Sequence, residues 1–214
     1  MANQLNIQQR ALIVIDMQRD FLDTGGYAAT AGMDVTELRK PIPFISALLN
    51  AARSSDMLVI HTREGHRADL SDCSPAKFAR SRKAGAEIGS AGPLGRLLVR
   101  GEYGHDIIDE LKPILGEPIV DKPGYGAFHQ TDLSQILDNH DVKHLYICGV
   151  TTEVCVQSTL REAVDRGYDC VLVSDACGSA YADLHDAAMK MVAVEGGIFG
   201  RVCDTQAVIE ELME

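Results

Sequence analysis

Six short runs rich in apolar and β-branched residues recur along the chain: ALIVID (11–16), MLVIH (57–61), EPIVD (117–121), HLYICG (144–149), DCVLVSD (169–175) and GGIFGRVC (196–203). Near-continuous apolar runs of this length belong to strands buried on both faces, as in a parallel sheet covered by helices. The stretches between or after them carry helical spacing, among them PFISALLNAARSSD (43–56), DLSQILDNH (132–140), VCVQSTLREAVDRG (154–167), DLHDAAMKMVAVEGG (183–197) and TQAVIEELM (205–213). Several open on Asp, Ser or Thr and close near Gly or Asn, which are helix start and stop signals. The pattern predicts an α/β fold, a Rossmann-like three-layer sandwich with a six-stranded parallel sheet. No Pro/Ser/Gly-rich linker, composition change or internal repeat divides the 214 residues, so the expectation is one domain over 1–214.

One segment interrupts the alternation. Residues 62–105, TREGHRADLSDCSPAKFARSRKAGAEIGSAGPLGRLLVRGEYGH, are long, charged and marked by Gly and Pro. Loops of this length in compact domains are usually functional or solvated excursions. The expectation is either a surface excursion or an element that shapes a pocket, with Leu94, Leu97, Leu98 and Val99 as an interface or a local core.

The net charge of -11 and pI of about 5.0 offer no basic footprint for nucleic acid, and no apolar stretch is long enough to span a bilayer. The first ten residues, MANQLNIQQR, are polar and lack the apolar segment of an export signal, so a cytoplasmic protein is expected. The six cysteines (Cys73, Cys148, Cys155, Cys170, Cys177 and Cys203) contain no C-x-x-C pair. A zinc knuckle or redox dithiol has little support, and in a reducing compartment these stay thiols.

In open α/β sheets the ligand crevice lies beyond the carboxyl ends of the strands. The first run ends in Asp16, the third is followed by Lys122, and the fourth leads through the turn GVTT (149–152) to Cys155. Each has a plain alternative: a turn cap, a surface charge, a packed thiol. Together they bring an acid, an ammonium and a thiol to one edge. A thiol with a pKa of about 8.5 is mostly protonated at neutral pH, and a helix N-terminus and an ammonium both favour the thiolate. An acid can take the thiol proton and return it to a leaving amine. Backbone N–H groups of the turn can receive the oxyanion of a tetrahedral intermediate. The set suits acyl transfer.

The motifs ALIVIDMQRDF, DKPGYGAF, GVTTEVCVQSTLREAVDRGY and SDACGSA resemble those of the isochorismatase-like cysteine hydrolases, amidases with an Asp-Lys-Cys triad on a Rossmann-like sheet. The resemblance covers nearly the whole chain. It implies Asp16 as base, Lys122 as positioning cation and Cys155 as nucleophile. The oxyanion hole would come from the backbone N–H groups of Thr151 and Cys155, beside a cis peptide between Val150 and Thr151. Within the family, GGY, HTREGHRADL, GPLGRLLVRGE and DIIDELKPILGEPIVDKPGYGAF are most similar to the biuret hydrolase branch, with ureidoacrylate amidohydrolase close by. This implies release of ammonia from a small carbamoyl or ureido amide through a thioester, no cofactor, and a homodimer or homotetramer.

Substrate contacts are expected at Phe21, Phe128, Thr152 and Glu195. Glu195 stands where the biuret hydrolase pattern has Gln; a carboxylate accepts hydrogen bonds from an NH2 group and cannot donate to a carbonyl. Arg63, Arg67, Arg80 and Arg82 would suit the carboxylate of a ureido acid. The nicotinamidases of the family place metal ligands after strand two, a spacing that His61, His66 and Asp69 lack, so no metal is expected. Two alternatives stay open: vinyl-ether hydrolysis, which in this family does not require the cysteine, and a catalytically silent binding protein, which would be expected to lose part of the triad.

Overall fold

A computed structural model describes residues 6–213. Residues 1–5, half of the polar leader segment read for an export signal, lie outside it. Six strands form one sheet: β1 (Arg10–Ile15), β2 (Leu58–Glu64), β3 (Ile119–Lys122), β4 (His144–Val150), β5 (Asp169–Gly178) and β6 (Arg201–Cys203). Their order is β3-β2-β1-β4-β5-β6 and every pairing is parallel. The order reverses between β1 and β4, which makes that gap the topological switch point.

The strands form where apolar residues run on: every residue of β4 is buried, as are five of the six in β1. Helices α1 (Ile42–Ser54), α2 (Pro75–Lys83), α3 (Leu133–Asn139), α4 (Gln157–Asp165), α5 (Ala182–Val192) and α6 (Thr205–Met213) account for most of the remaining regular structure. Helix α1 packs against β1, β2 and β5, and α4 and α5 pack against β5. Helix α6 packs on α1. Glu211 of α6 accepts a hydrogen bond from the Tyr146 hydroxyl at 2.7 Å, which ties the last helix to the central strand.

Two boundaries differ from the expectation. The sixth run begins at 196 in the sequence, yet only 201–203 pair; Val194–Gly197 is a short turn with Glu195 and Gly196 at positive φ. The second run reads as ending at His61, where the apolar signal stops, yet β2 continues through Thr62, Arg63 and Glu64 because these residues pair with β3. In that register Glu64 lies directly beside Lys122.

The insertion after β2 is neither extended nor detached. Ser74 caps α2 by accepting from the Lys77 N–H at 3.2 Å, and Pro75 occupies the first helical position. Leu97, Leu98 and Val99 are buried, so these leucines and this valine serve a local core. Asp20 fastens that core to the sheet edge, its Oδ2 accepting from the Leu98 N–H at 2.9 Å. Burial raises the Asp20 pKa to about 6 although two backbone donors favour its ionised form.

Candidate active site

The motif DMQRDF after β1 builds the site floor. Asp16 adopts φ 51°, a left-handed conformation that Asp tolerates better than most residues, and is fully buried. The Thr62 hydroxyl donates to its Oδ1 at 2.6 Å. Gln18 then clamps the end of β2: its amide oxygen accepts from the Glu64 N–H at 2.7 Å, while its NH2 donates to Glu64 O at 3.0 Å and to His105 O at 2.8 Å. Gln18 thereby substitutes for a strand partner and fixes the Glu64 backbone.

Gly149 explains why the β1–β4 gap is so close. At φ 116° its position would bring a Cβ within 2.1 Å of Ile15 O, so only glycine allows the two strands to meet there. Val150 and Thr151 follow, joined by a cis peptide bond. The chain then turns through one π-helical segment, Thr152–Val156, into α4. Such wide turns are frequent at functional sites. Cys155 sits within it, 4% exposed, facing the other strand ends.

The three residues expected at the strand ends do meet. Lys122 Nζ lies 2.8 Å from Asp16 Oδ2, and the acceptor atoms of Asp16, Glu64 and Cys155 all lie within 4.8 Å of one another. Asp16 Oδ2 has the ion contact without an aligned hydrogen bond, so a buried carboxylate oxygen keeps an unused lone pair. Lys122 also donates to Gly124 O at 3.1 Å and reaches Glu64 Oε2 at 3.4 Å.

Glu64 is the member that the sequence reading missed. Its Oε2 accepts the Cys155 thiol at 3.2 Å, and its Oε1 lies 2.6 Å from Nζ of Lys77 on α2. Lys77 also donates to Pro123 O at 2.6 Å and is itself buried. The signal was present in the rule already used: strand two ends at the same edge as strands one, three and four, and its last residue is an acid. Cutting the strand at His61 hid it.

Charge explains how the two carboxylates divide. Burial opposes ionisation of both, but Glu64 has two ammonium partners, Lys122 and Lys77, and is lowered to about 2. Asp16 has one ammonium and a neighbouring anion, so burial prevails and its pKa is raised. Lys122, despite burial, is held charged by Asp16 and Glu64. Cys155 departs from the expectation of a stabilised thiolate. Burial raises its pKa well above the usual value, and Glu64 and Asp16 add to this against the pull of Lys122. The resting sulfur is a thiol.

A cavity of about 230 Å³ opens over Cys155, walled by Phe21, Tyr27, Glu64, Arg80, Tyr125 and Thr151 among others. Phe21 packs edge-on against Tyr27, with ring centroids 6.0 Å apart. A second, larger cavity of about 740 Å³ shares Arg80 and Tyr125 with it and adds Arg67, Lys77 and His129. The insertion therefore contributes Lys77, Arg80, Ser81 and Ala84 to the site or its mouth.

The other expected contacts lie elsewhere. Phe128 is buried against Tyr168, centroids 6.0 Å apart, with Arg166 over its ring; packing takes it off the cavity wall. Thr152 is fully buried with its hydroxyl 3.0 Å from His185 Nδ1. Glu195 is exposed on the turn before β6, where the shorter strand leaves it outside the cavity. Arg63 pairs with Asp121 and Asp106, and Arg82 with Glu87.

The would-be metal residues are separate: His61 bonds Glu117 at 3.0 Å, His66 bonds Asp72 at 3.2 Å, and Asp69 is exposed. The acidic and thiol donors that do cluster, Asp16, Glu64 and Cys155, surround the Lys122 ammonium, which supplies their cation.

The model of the isochorismatase domain matches residues 10–207, which include every strand of the sheet and all the residues just described. The chain belongs to the isochorismatase family. This isochorismatase-family chain is 35% identical over 182 residues to a ureidoacrylate amidohydrolase, RutB, of Pantoea ananatis, covering 81% of this chain and 70% of that one. It is 32% identical to the RutB of Acinetobacter baylyi, covering 97% and 85%. Among solved structures, a cysteine hydrolase from Pseudomonas syringae pv. phaseolicola superposes with a TM-score of 0.83 at 29% identity, over 100% of this chain and 99% of that one. Among the described residues no helix is long and apolar enough to cross a membrane.

Proposed function

We propose that this protein is a cysteine-dependent amidohydrolase that releases ammonia from a small carbamoyl or ureido compound. The observation that carries the reading is a buried thiol, a proton-accepting acid and a buried ammonium brought together from the ends of β4, β1 and β3, beside the switch point of the sheet. The likeness to two ureidoacrylate amidohydrolases supports the substrate class.

In this mechanism the Cys155 proton passes to Asp16 as sulfur attacks the carbonyl carbon. Asp16 suits the step because its pKa is raised and Oδ2 has a free lone pair. The transfer also leaves the cluster's charge unchanged: before and after it, two anions face Lys122 and Lys77. The backbone N–H groups of Thr151 and Cys155 receive the carbonyl oxygen. As the carbon–nitrogen bond breaks, protonated Asp16 gives its proton to the departing nitrogen, and ammonia leaves. Asp16 then deprotonates water, which adds to the thioester and returns the thiol. The sum is amide plus water to acid plus ammonia. Lys122 holds Asp16 and balances its charge throughout.

The cavity of about 230 Å³ suits a small substrate, since a cavity of about 150 Å³ already accepts a benzene-sized molecule. A ureido acid is favoured over biuret by one observation: Arg80 walls both cavities and makes no ion pair among the described residues. The exposed apolar side chains Tyr181, Leu184, Met191, Val194 and Ile198, just before, on and after α5, support a homo-oligomer.

The test is ammonia release from biuret, ureidoacrylate, N-carbamoyl amino acids and nicotinamide by wild type and Cys155→Ala. We expect turnover of at least one ureido compound and its abolition in the variant, with an unchanged circular dichroism spectrum. Wild-type turnover by Cys155→Ala would contradict the reading.

A further inference from the structure

A second ion pair faces the nucleophile, and the mechanism above does not use it. Glu64 Oε2 accepts the Cys155 thiol at 3.2 Å, Glu64 Oε1 is bound by Lys77 at 2.6 Å, and Gln18 grips the Glu64 backbone from both sides. Glu64 also forms part of the wall of the cavity over Cys155. A carboxylate fixed on three sides and open to the cavity on the fourth is a placed acceptor. Its ionised form is too weak a base to keep the thiol proton, so proton transfer is not its work.

We propose that Glu64 is a specificity-determining residue whose carboxylate accepts the Cys155 thiol in the free enzyme and the N–H groups of a carbamoyl substrate in the complex. Lys77 is the positioning residue that keeps it there. The proposal rests on the amidohydrolase reading and adds a cause for selectivity. A carbamoyl or ureido group presents N–H donors beside its reacting carbon, and Glu64 is the fixed anion beside Cys155 that can receive them. An ester or a tertiary amide offers none.

The exchange has a second effect. While Oε2 holds the S–H, the sulfur is kept protonated and turned toward Glu64. When substrate N–H groups take over Oε2, the thiol is released toward Asp16, within 4.8 Å. No bond other than hydrogen bonds changes in this step. Glu64 thus assumes the role that the sequence suggested for Glu195, an acceptor for the substrate's NH2 group.

The experiment combines two readouts on Glu64→Gln and Lys77→Met. The first is alkylation of Cys155 without substrate, by iodoacetamide, followed across pH on the Cys155 peptide by mass spectrometry. The groups that set its midpoint are Lys122, Asp16, Glu64 and Lys77, with Tyr27, Tyr125 and Arg80 on the cavity wall. The second is steady-state ammonia release from ureidoacrylate and biuret.

Glu64→Gln removes one of the anions facing the sulfur, so the alkylation midpoint falls. It also exchanges a charged acceptor for a neutral one, so KM rises about tenfold with a smaller change in kcat. Lys77→Met leaves the charge and removes its anchor: KM rises while the midpoint does not fall. Loss of packing alone would not move the two readouts in this crossed way, and thermal unfolding of each variant checks the fold.

An unchanged alkylation midpoint in Glu64→Gln, or an unchanged KM in both variants, overturns the proposal. Failure of the amidohydrolase reading shows separately, as an absence of ammonia release in wild type, and leaves the alkylation arm to decide the resting contact.

Discussion

Two ion pairs face one sulfur, and they come from different parts of the molecule. Asp16–Lys122 joins the ends of β1 and β3, both in the regular sheet. Glu64–Lys77 joins the end of β2 to a helix within the 62–105 insertion. The first pair is fully buried and has a single cation beside a neighbouring anion, so its acid is held above the usual carboxylate pKa and is the better proton acceptor of the two. The second has an acid shared by two cations, so it stays ionised. In the proposed mechanism the same side-chain chemistry serves for proton transfer in one place and for a fixed acceptor in the other, and the number of neighbouring ammonium groups makes the difference.

The largest contrast is expected in turnover. Asp16→Asn removes the proton carrier and should lower kcat by about 10²- to 10⁴-fold with little change in KM. Glu64→Gln should instead act mainly on KM. Steady-state ammonia release on the two variants separates the roles, and equal kcat losses would merge them.

Stability should separate the cations in the same direction. Lys122→Met leaves the buried Asp16 carboxylate without its cation, takes one of two from Glu64, and should cost about 3–5 kcal/mol. Lys77→Met leaves Glu64 its contact with Lys122 and should cost less. Urea unfolding of both variants at neutral pH measures the difference.

Acid should reveal the opposite pKa shifts. Glu64 is held at about 2 in the folded protein against an ordinary 4.5. Its contribution is present in full above that ordinary value and is lost as pH falls toward 2. Asp16 is raised, so its contribution has the other sign: present below its ordinary 3.8, and lost as pH rises through the raised value. Glu64→Gln should therefore flatten the fall in stability between about pH 4.5 and 2, and Asp16→Asn should not. Unfolding free energies across that range provide the check.

The smallest effect is expected at the residue first expected to contact substrate. Glu195→Ala alters an exposed turn and should leave kcat/KM within about twofold, a change smaller than any mutation of the cavity wall.

The contrast between the pairs also explains what the sequence revealed. Six apolar runs gave the strands, because burial on both faces leaves an unbroken apolar record. Asp16, Lys122 and Cys155 were legible because each terminates or follows such a run. Glu64 was not, because β2 continues by pairing with β3 through polar residues, and pairing leaves no apolar trace. Lys77 lies in a segment whose charges look solvated until α2 folds it against Glu64. Phe128 and Glu195 were misplaced for a related reason: an aromatic stacked on Tyr168 and an acid on a turn have the same composition as wall residues. The resting thiol, too, depends on burial that composition does not report.

The central claim is that Cys155 carries the acyl group. Wild-type enzyme turning over ureidoacrylate, quenched in acid and examined by intact and peptide mass spectrometry, tests it most directly. The account predicts a mass gain equal to substrate minus ammonia, located on the Cys155 peptide and absent from Cys155→Ala. Steady ammonia release with no adduct on Cys155, together with full activity of Cys155→Ala, would contradict it.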